Sequence, residues 1–269
     1  MGEGSARAGV EPARGPIPGA IEVLNPQSTA PAAEPAALSR QLVEHARAIS
    51  SPEECAALEG LAGALHAIEP AEIEGDAART AFWVNIYNAL VRHELWRNPR
   101  EGSLLRHRRL FRRVAYQVGA RDYSPDVIEH GLLRRNARPA YALRRVMRSS
   151  DRRAAAMVSR LDPRIHFALN CGALSCPPIA GYSAAAIDEE LELATRSYIR
   201  AETSIDRDRR EVTLPRLLRL YRPDFGPAGS RLRFVTARLM PDDAEWLRGN
   251  RDRISIDYGD YDWTISLAG

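Results

Sequence analysis

The sequence predicts an α+β fold: a mainly helical single domain packed on a small, mostly antiparallel sheet. Three observations carry this. Long apolar stretches recur at helical spacing, and the short alternating stretches that could pair as strands do not interleave regularly with them, as a doubly wound sheet would require. The chain is 269 residues long and 45% hydrophobic, enough to bury a substantial core without a disulfide scaffold.

Residues 1–34 are rich in Gly, Pro, Ala and Ser with no hydrophobic period, so a disordered or loosely docked tail is expected before a globular part spanning 35–269. "ALSRQLVEHARAI" and "SPEECAALEGLAGALHAI" then carry apolar residues at helical spacing, the second opened by Ser51 as N-cap and Pro52 at the first helical position. "DAARTAFWVNIYNALVRHELWRN" is apolar nearly all round, which predicts a helix buried in the middle of the fold. Asn85 and Asn88 share one face of it. Buried amides must be hydrogen-bonded, so they either pin neighbouring loops or face a polar site.

Further along, "FRRVAYQVGARDYSP" reads as a strand, a turn and a helix start, and "SPDVIEHGLLRRN" as a short helix capped by Ser124. "PAYALRRVM" suggests a second arginine-rich helix. "RIHFALN" alternates as a strand, "YSAAAIDEELELATRSYIRAE" is an amphipathic helix with acids near its start, and "RREVTLP" and "RDRISIDYGDYDW" supply further short strands. No internal repeat is present.

All 38 basic residues are arginine and the net charge is +3, unevenly spread. From Arg97 to Arg164 there are 18 arginines against 6 acids, an excess of 12 positive charges. That stretch could meet an anionic ligand, but solvated helix faces explain it more simply. Nucleic acid is set aside, because the aromatic interleaving of single-strand binders and a recognisable reading helix are both missing. No run approaches the roughly 18 apolar residues of a membrane helix, and the opening residues lack the apolar core of a signal peptide, so a cytoplasmic location is expected. Three cysteines, one isolated at Cys55, fit reduced thiols better than a disulfide framework.

The chemistry concentrates in "PRIHFALNCGALSCPPI". As a strand, "RIHFALN" would send Ile165, Phe167 and Leu169 to a core and leave His166, Ala168 and Asn170 free to line a cleft. Cys171 then falls at the strand end before Gly172, a usual station for a nucleophile. A thiol needs a base to remove its proton. Five extended residues span roughly 16 Å, so His166 cannot reach Cys171 unless the chain doubles back, and His130 on a separate helix is the expected base. His93 lies too far round its helix to share the face of Asn88 and is left out. A metal clip or a disulfide between Cys171 and Cys176 is sterically open, but a structural zinc site usually shows two such close pairs and only one exists here. No cofactor or metal is therefore expected.

The motifs "FWVNIYNAL", "DVIEHGLLR", "DPRIHFALNCGALSCPP", "LPRLLRLYRPDFG" and "YDW", in this order from about Ala81 to Trp263, resemble the family known as the domain of unknown function numbered 547. The resemblance implies a bacterial member of a family also found in plants and animals, where similar domains are joined to glutaredoxin and to small signalling domains. Asn85, Asn88, Glu129, His130, His166, Cys171 and Gly172 match its characteristic positions. Cys176 matches the bacterial form, whereas many plant relatives carry serine there, which leaves Cys171 as the better nucleophile. The family carries no settled activity.

The leading expectation is a cysteine-dependent hydrolase or acyl transferase of the papain or transglutaminase kind, acting on an amide or thioester of a small or peptidic, anionic substrate. Cys171 would attack the carbonyl, His130 would act as base and acid, Glu129 or Asn88 would orient the imidazole, and backbone amides near Gly172 would hold the oxyanion. His166, Asn85, Asn170, Gly172 and Cys176 would line the site. The competing class is a non-catalytic scaffold that docks a protein or an anionic ligand.

Overall fold

In the computed structural model, which describes residues 20–29 and 34–266, the helical start signals act as their chemistry dictates. Helix α1 (Pro35–Ala48) is followed by α2 (Pro52–Ala62), where the Ser51 side chain accepts from the Glu54 amide while Glu54 reaches back to the Ser51 amide. This reciprocal cap satisfies two otherwise orphaned donors. Helix α3 (Asp76–Arg97) is buried from Thr80 through Val91, packs against α1 and α2, and forms the spine of the molecule, as its all-round apolarity predicts.

The fold is mainly helical α+β, with two small three-stranded sheets among the described residues. In the first, β1 (Glu22–Val23) runs parallel to β2 (Val114–Val118), which pairs antiparallel with β3 (Arg121–Tyr123). A four-residue helix, α4 (Leu110–Arg113), leads into β2. Helix α5 (Ile187–Glu202) precedes the second sheet, in which β4 (Ser204–Asp206) is antiparallel to β5 (Glu211–Leu214). Short helices α6 (Leu217–Leu220) and α7 (Arg222–Phe225), then α8 (Ala228–Thr236) and α9 (Pro241–Asn250), follow before β6 (Ser255–Tyr258) returns parallel to β5. Each sheet is mixed rather than mostly antiparallel. The parallel partner in each case arrives after a long excursion, which is what a parallel pairing needs.

Four local expectations are corrected. Residues 20–29, placed by composition in the tail, are docked: Leu24 is fully buried, and Asn25 bonds Ala62 O, Gln117 O and the Gln117 amide. The rest of the expected tail lies outside the described residues, apart from Glu34, which caps α1. "PAYALRRVM" forms turns, not a helix, with Leu143 exposed and the Asn136 side chain clamped to both backbone groups of Met147. "FRRVAYQVGARDYSP" contains a hairpin instead of leading directly from turn to helix.

The fourth correction bears most on the site. "RIHFALN" is not a strand: Pro163–Phe167 form a 3-10 turn, with the Asp162 side chain accepting from the Arg164 amide and Pro163 at the first position. Asp-Pro is a helix-start signature, and that local signal wins over the alternating pattern. The alternation has another cause. This turn sits between two apolar cores, so Ile165 and Leu169 enter the larger one while Phe167 enters the smaller, against Tyr198, Phe225 and Phe234.

Candidate functional site

Because the chain coils at 163–167, His166 and Cys171 line one cavity of about 320 Å³. Its walls are strongly aromatic, with Tyr87 from α3, Phe111 from α4, Tyr221, and the C-terminal Tyr261 and Trp263. Asp126, Glu129, His130 and Tyr141 complete one side. Glu129 and His130 stand on a π-helix, Val127–Leu133, whose wider winding is marked by the Arg134 amide bonding Glu129 O at 2.8 Å. Such windings re-aim side chains and recur at functional sites.

A continuous polar chain runs behind this wall. The Arg134 guanidinium donates to His130 Nδ1 at 2.8 Å, which fixes the imidazole proton on Nε2. Nε2 then donates to the Tyr141 hydroxyl at 3.0 Å, and that hydroxyl donates to Asp126 Oδ1 at 2.5 Å. In the other direction Arg134 grips Asp224 through Nε (2.5 Å) and its second terminal nitrogen (2.9 Å), and Asp224 Oδ2 lies 2.8 Å from His166 Nε2. His166 is stacked on Tyr221 at 3.7 Å.

The electrostatics follow from burial. Burial, then the Asp126 and Arg134 charges in opposite senses, lowers the His130 pKa to about 4, so the ring is neutral at pH 7. Burial also lowers His166, against the pull of Asp224. Burial alone would raise Asp224, but the His166 and Arg134 hydrogen bonds and charges outweigh it and hold that carboxyl at about 2. Glu129 lies against this chain, with Oε1 3.6 Å from His130 Nδ1 and its carboxylate beside the Tyr221 hydroxyl. That Oε1 is buried and has no hydrogen-bond partner among the described residues.

The thiols form a pair. Cys171 Sγ lies 2.8 Å from Cys176 Sγ, and the Cys176 sulfur also receives the Cys171 amide at 3.1 Å and the Tyr261 hydroxyl at 3.2 Å. Burial opposes ionisation of Cys176, but these donors together carry its pKa below the ordinary thiol value. The hydrogen bond to Cys176, then burial, pushes Cys171 well up. The pair therefore gives up one proton readily and the second with difficulty, with the first charge centred on Cys176. Gly172 makes the loop possible: its φ is +88°, and an added Cβ would sit 2.2 Å from Leu95 Cδ1. The C-terminal segment fastens this loop through the Leu174 amide on Thr264 O and the Ser266 amide on Gly172 O.

The expected site residues therefore divide. Cys171, His130, Glu129 and His166 share the pocket, while Cys176 lies directly behind Cys171. His130 is not hydrogen-bonded to Cys171, since Arg134 and Tyr141 occupy its two nitrogens. Asn88 orients no imidazole; it donates to Ala168 O and accepts from the Asn170 amide. Asn85 clamps both backbone groups of Tyr182, and Asn170 bonds Pro177 O and the Gly172 amide. That amide is thus spent and holds no oxyanion. These asparagines pin loops, the alternative their burial already allowed. Sequence reasoning passed over Arg134, Asp224, Tyr141, Tyr221 and Tyr261. Arg134 is four residues from His130, and Tyr221, Asp224 and Tyr261 lie inside quoted motifs, so their signals were present without a stated role.

The fold and pocket define a mainly helical α+β protein with a paired-thiol cleft. The family described as "Protein of unknown function, DUF547" matches residues 71–199. Among curated proteins and among solved structures there is no significant match.

Proposed function

We propose that the protein is a thiol-dependent acyl transferase or hydrolase in which Cys171 is the nucleophile. The observation that carries this reading is the pocket-lining Cys171 sulfur set 2.8 Å from a Cys176 sulfur whose anionic form is stabilised by an amide and a tyrosine hydroxyl. Cys176 takes the place that His130 was expected to fill.

In the step this supports, Cys171 Sγ attacks the carbonyl carbon of an amide or thioester, its proton passes to Cys176 Sγ, and the carbonyl π pair moves to oxygen. Collapse expels the amine or thiolate leaving group, which takes the proton back from Cys176 and leaves an acyl thioester on Cys171. Water or a second nucleophile then attacks that thioester and releases Cys171. Glu129 Oε1, buried and without a hydrogen-bond partner among the described residues, is the acceptor available to an N–H of the substrate or of the incoming nucleophile. The aromatic walls favour a flat or apolar acyl group, and exposed Arg108 at the pocket wall suits a substrate carboxylate.

The test is intact mass spectrometry after incubation with aryl thioesters of aliphatic and of carboxylate-bearing acyl groups. One acyl adduct on Cys171 is expected, absent in Cys171→Ala and formed about 100-fold more slowly in Cys176→Ala. Ligand binding in the pocket with no adduct from any donor would instead make this a binding module.

A further inference from the structure

A second group of chemically capable side chains lies away from the pocket, where α2 meets α3. Cys55 and Glu59 are four residues apart on α2 and share a face. His93 projects from α3. The Cys55 sulfur, a Glu59 carboxylate oxygen and a His93 ring nitrogen all lie within 4.8 Å of one another.

His93 supplies an independent sign of a ligand. Its side chain is fully buried, Nδ1 is 2.9 Å from the Tyr116 hydroxyl, and Nε2, 3.5 Å from Glu59 Oε1, is buried with no hydrogen-bond partner among the described residues. Burial, then the Arg97 charge, lowers its pKa to about 4, so the ring is neutral at pH 7. In the tautomer whose Nδ1–H donates to the Tyr116 hydroxyl, the lone pair sits on Nε2 and is free for an ion. A histidine whose other nitrogen is fixed by a polar neighbour is the usual arrangement of a metal ligand.

We propose that Cys55, Glu59 and His93 bind one divalent cation of the thiolate- and imidazole-preferring class, zinc above all, with water in the fourth position on the Glu59 side. Sulfur, nitrogen and carboxylate ligands select such an ion over magnesium or calcium. Ligand atoms around an ion with bonds of roughly 2.0–2.3 Å sit about 3.5 Å apart, so binding draws the three inward by about 1 Å at most. Glu59, with its side chain 40% exposed, has the freedom to make that movement and provides the way in. Arg97, 3.3 Å from Glu59 Oε1, steadies the carboxylate through its second oxygen once the first meets the ion. Cys55 releases its proton to solvent as the metal–sulfur bond forms, and the thiolate and carboxylate together neutralise the ion. The bound ion ties α2 to α3, independently of the chemistry in the pocket.

The experiment uses the full chain, freed of metal by chelator dialysis and titrated with Zn²⁺ and with Co²⁺, whose thiolate charge-transfer absorption reports a sulfur ligand. One ion per chain is expected, with Zn²⁺ affinity at least tenfold weaker in Cys55→Ser and in Glu59→Gln. A Cys171→Ser, Cys176→Ser double variant should retain it. Glu59 is partly exposed, so Glu59→Gln decides the matter if Cys55→Ser does not fold. No cobalt–thiolate band in the native chain would overturn the assignment. So would a band that survives Cys55→Ser and disappears in the double variant.

Discussion

Replacing Asp224 by alanine removes the acceptor for three hydrogen bonds at once: two from Arg134, at 2.5 and 2.9 Å, and one from His166 at 2.8 Å. The three side chains are 5%, 3% and 1% exposed, so water cannot stand in for the lost carboxylate. Arg134 cannot shed its charge, which leaves an uncompensated buried cation. Breaking one side of such a pair costs about 3–5 kcal/mol, and for a chain of this size that lowers the melting temperature by on the order of 10 °C. Urea unfolding at pH 7 followed by circular dichroism measures it. Adding Arg134→Met to Asp224→Ala should recover part of the loss, as expected for coupled neighbours. A cost below about 1 kcal/mol for Asp224→Ala alone would refute the view that this carboxylate anchors the pocket wall.

Other outcomes follow from the same geometry. His130 and His93 are held neutral with pKa values near 4, below the unfolded value of about 6.5, so the stability they contribute is complete above pH 6.5 and lost as pH falls towards 4. The slope should be about 1.4 kcal/mol per pH unit for each, and stability curves from pH 7 to 4.5 should flatten in His130→Gln. Asp224 acts lower: its contribution is present above about pH 4 and disappears only as pH falls through about 2. Asn88→Ala orphans Ala168 O and the Asn170 amide and should cost about 2–4 kcal/mol in urea unfolding, with loosened exchange protection across 168–172. Gly172→Ala forces a side chain into a left-handed φ and onto Leu95, and should destabilise by about 2 kcal/mol or more, measured by thermal unfolding.

Much of the architecture was legible because it is written in local signals. Ser51 and Pro52 announce α2, and the run 81–91, apolar except for Asn85 and Asn88, announces a buried spine. The docked segment 20–29 was hidden because two strand residues and a single buried Leu24 make no periodic pattern. "RIHFALN" misled for a different reason. Alternation marks one buried face only when there is one core, and here a turn inserts residues into two. That error also separated His166 from Cys171 by an imagined extended chain. Residue types identified the pocket thiol, Glu129 and both histidines, but not which groups would pair. Arg134 and Asp224 come together from 90 residues apart, a distance over which no spacing rule applies.

The central claim is that Cys171 and Cys176 share one readily lost proton beside the pocket, and the most direct measurement is site-mapped alkylation rate against pH. In the native protein the pair should react with a midpoint below the free-thiol value of about 8.5, far ahead of Cys55, whose burial raises its pKa. In Cys176→Ser, Cys171 should react only with a midpoint above that value. Equal, slow labelling of all three thiols, or a Cys171 rate unchanged by Cys176→Ser, would contradict the account.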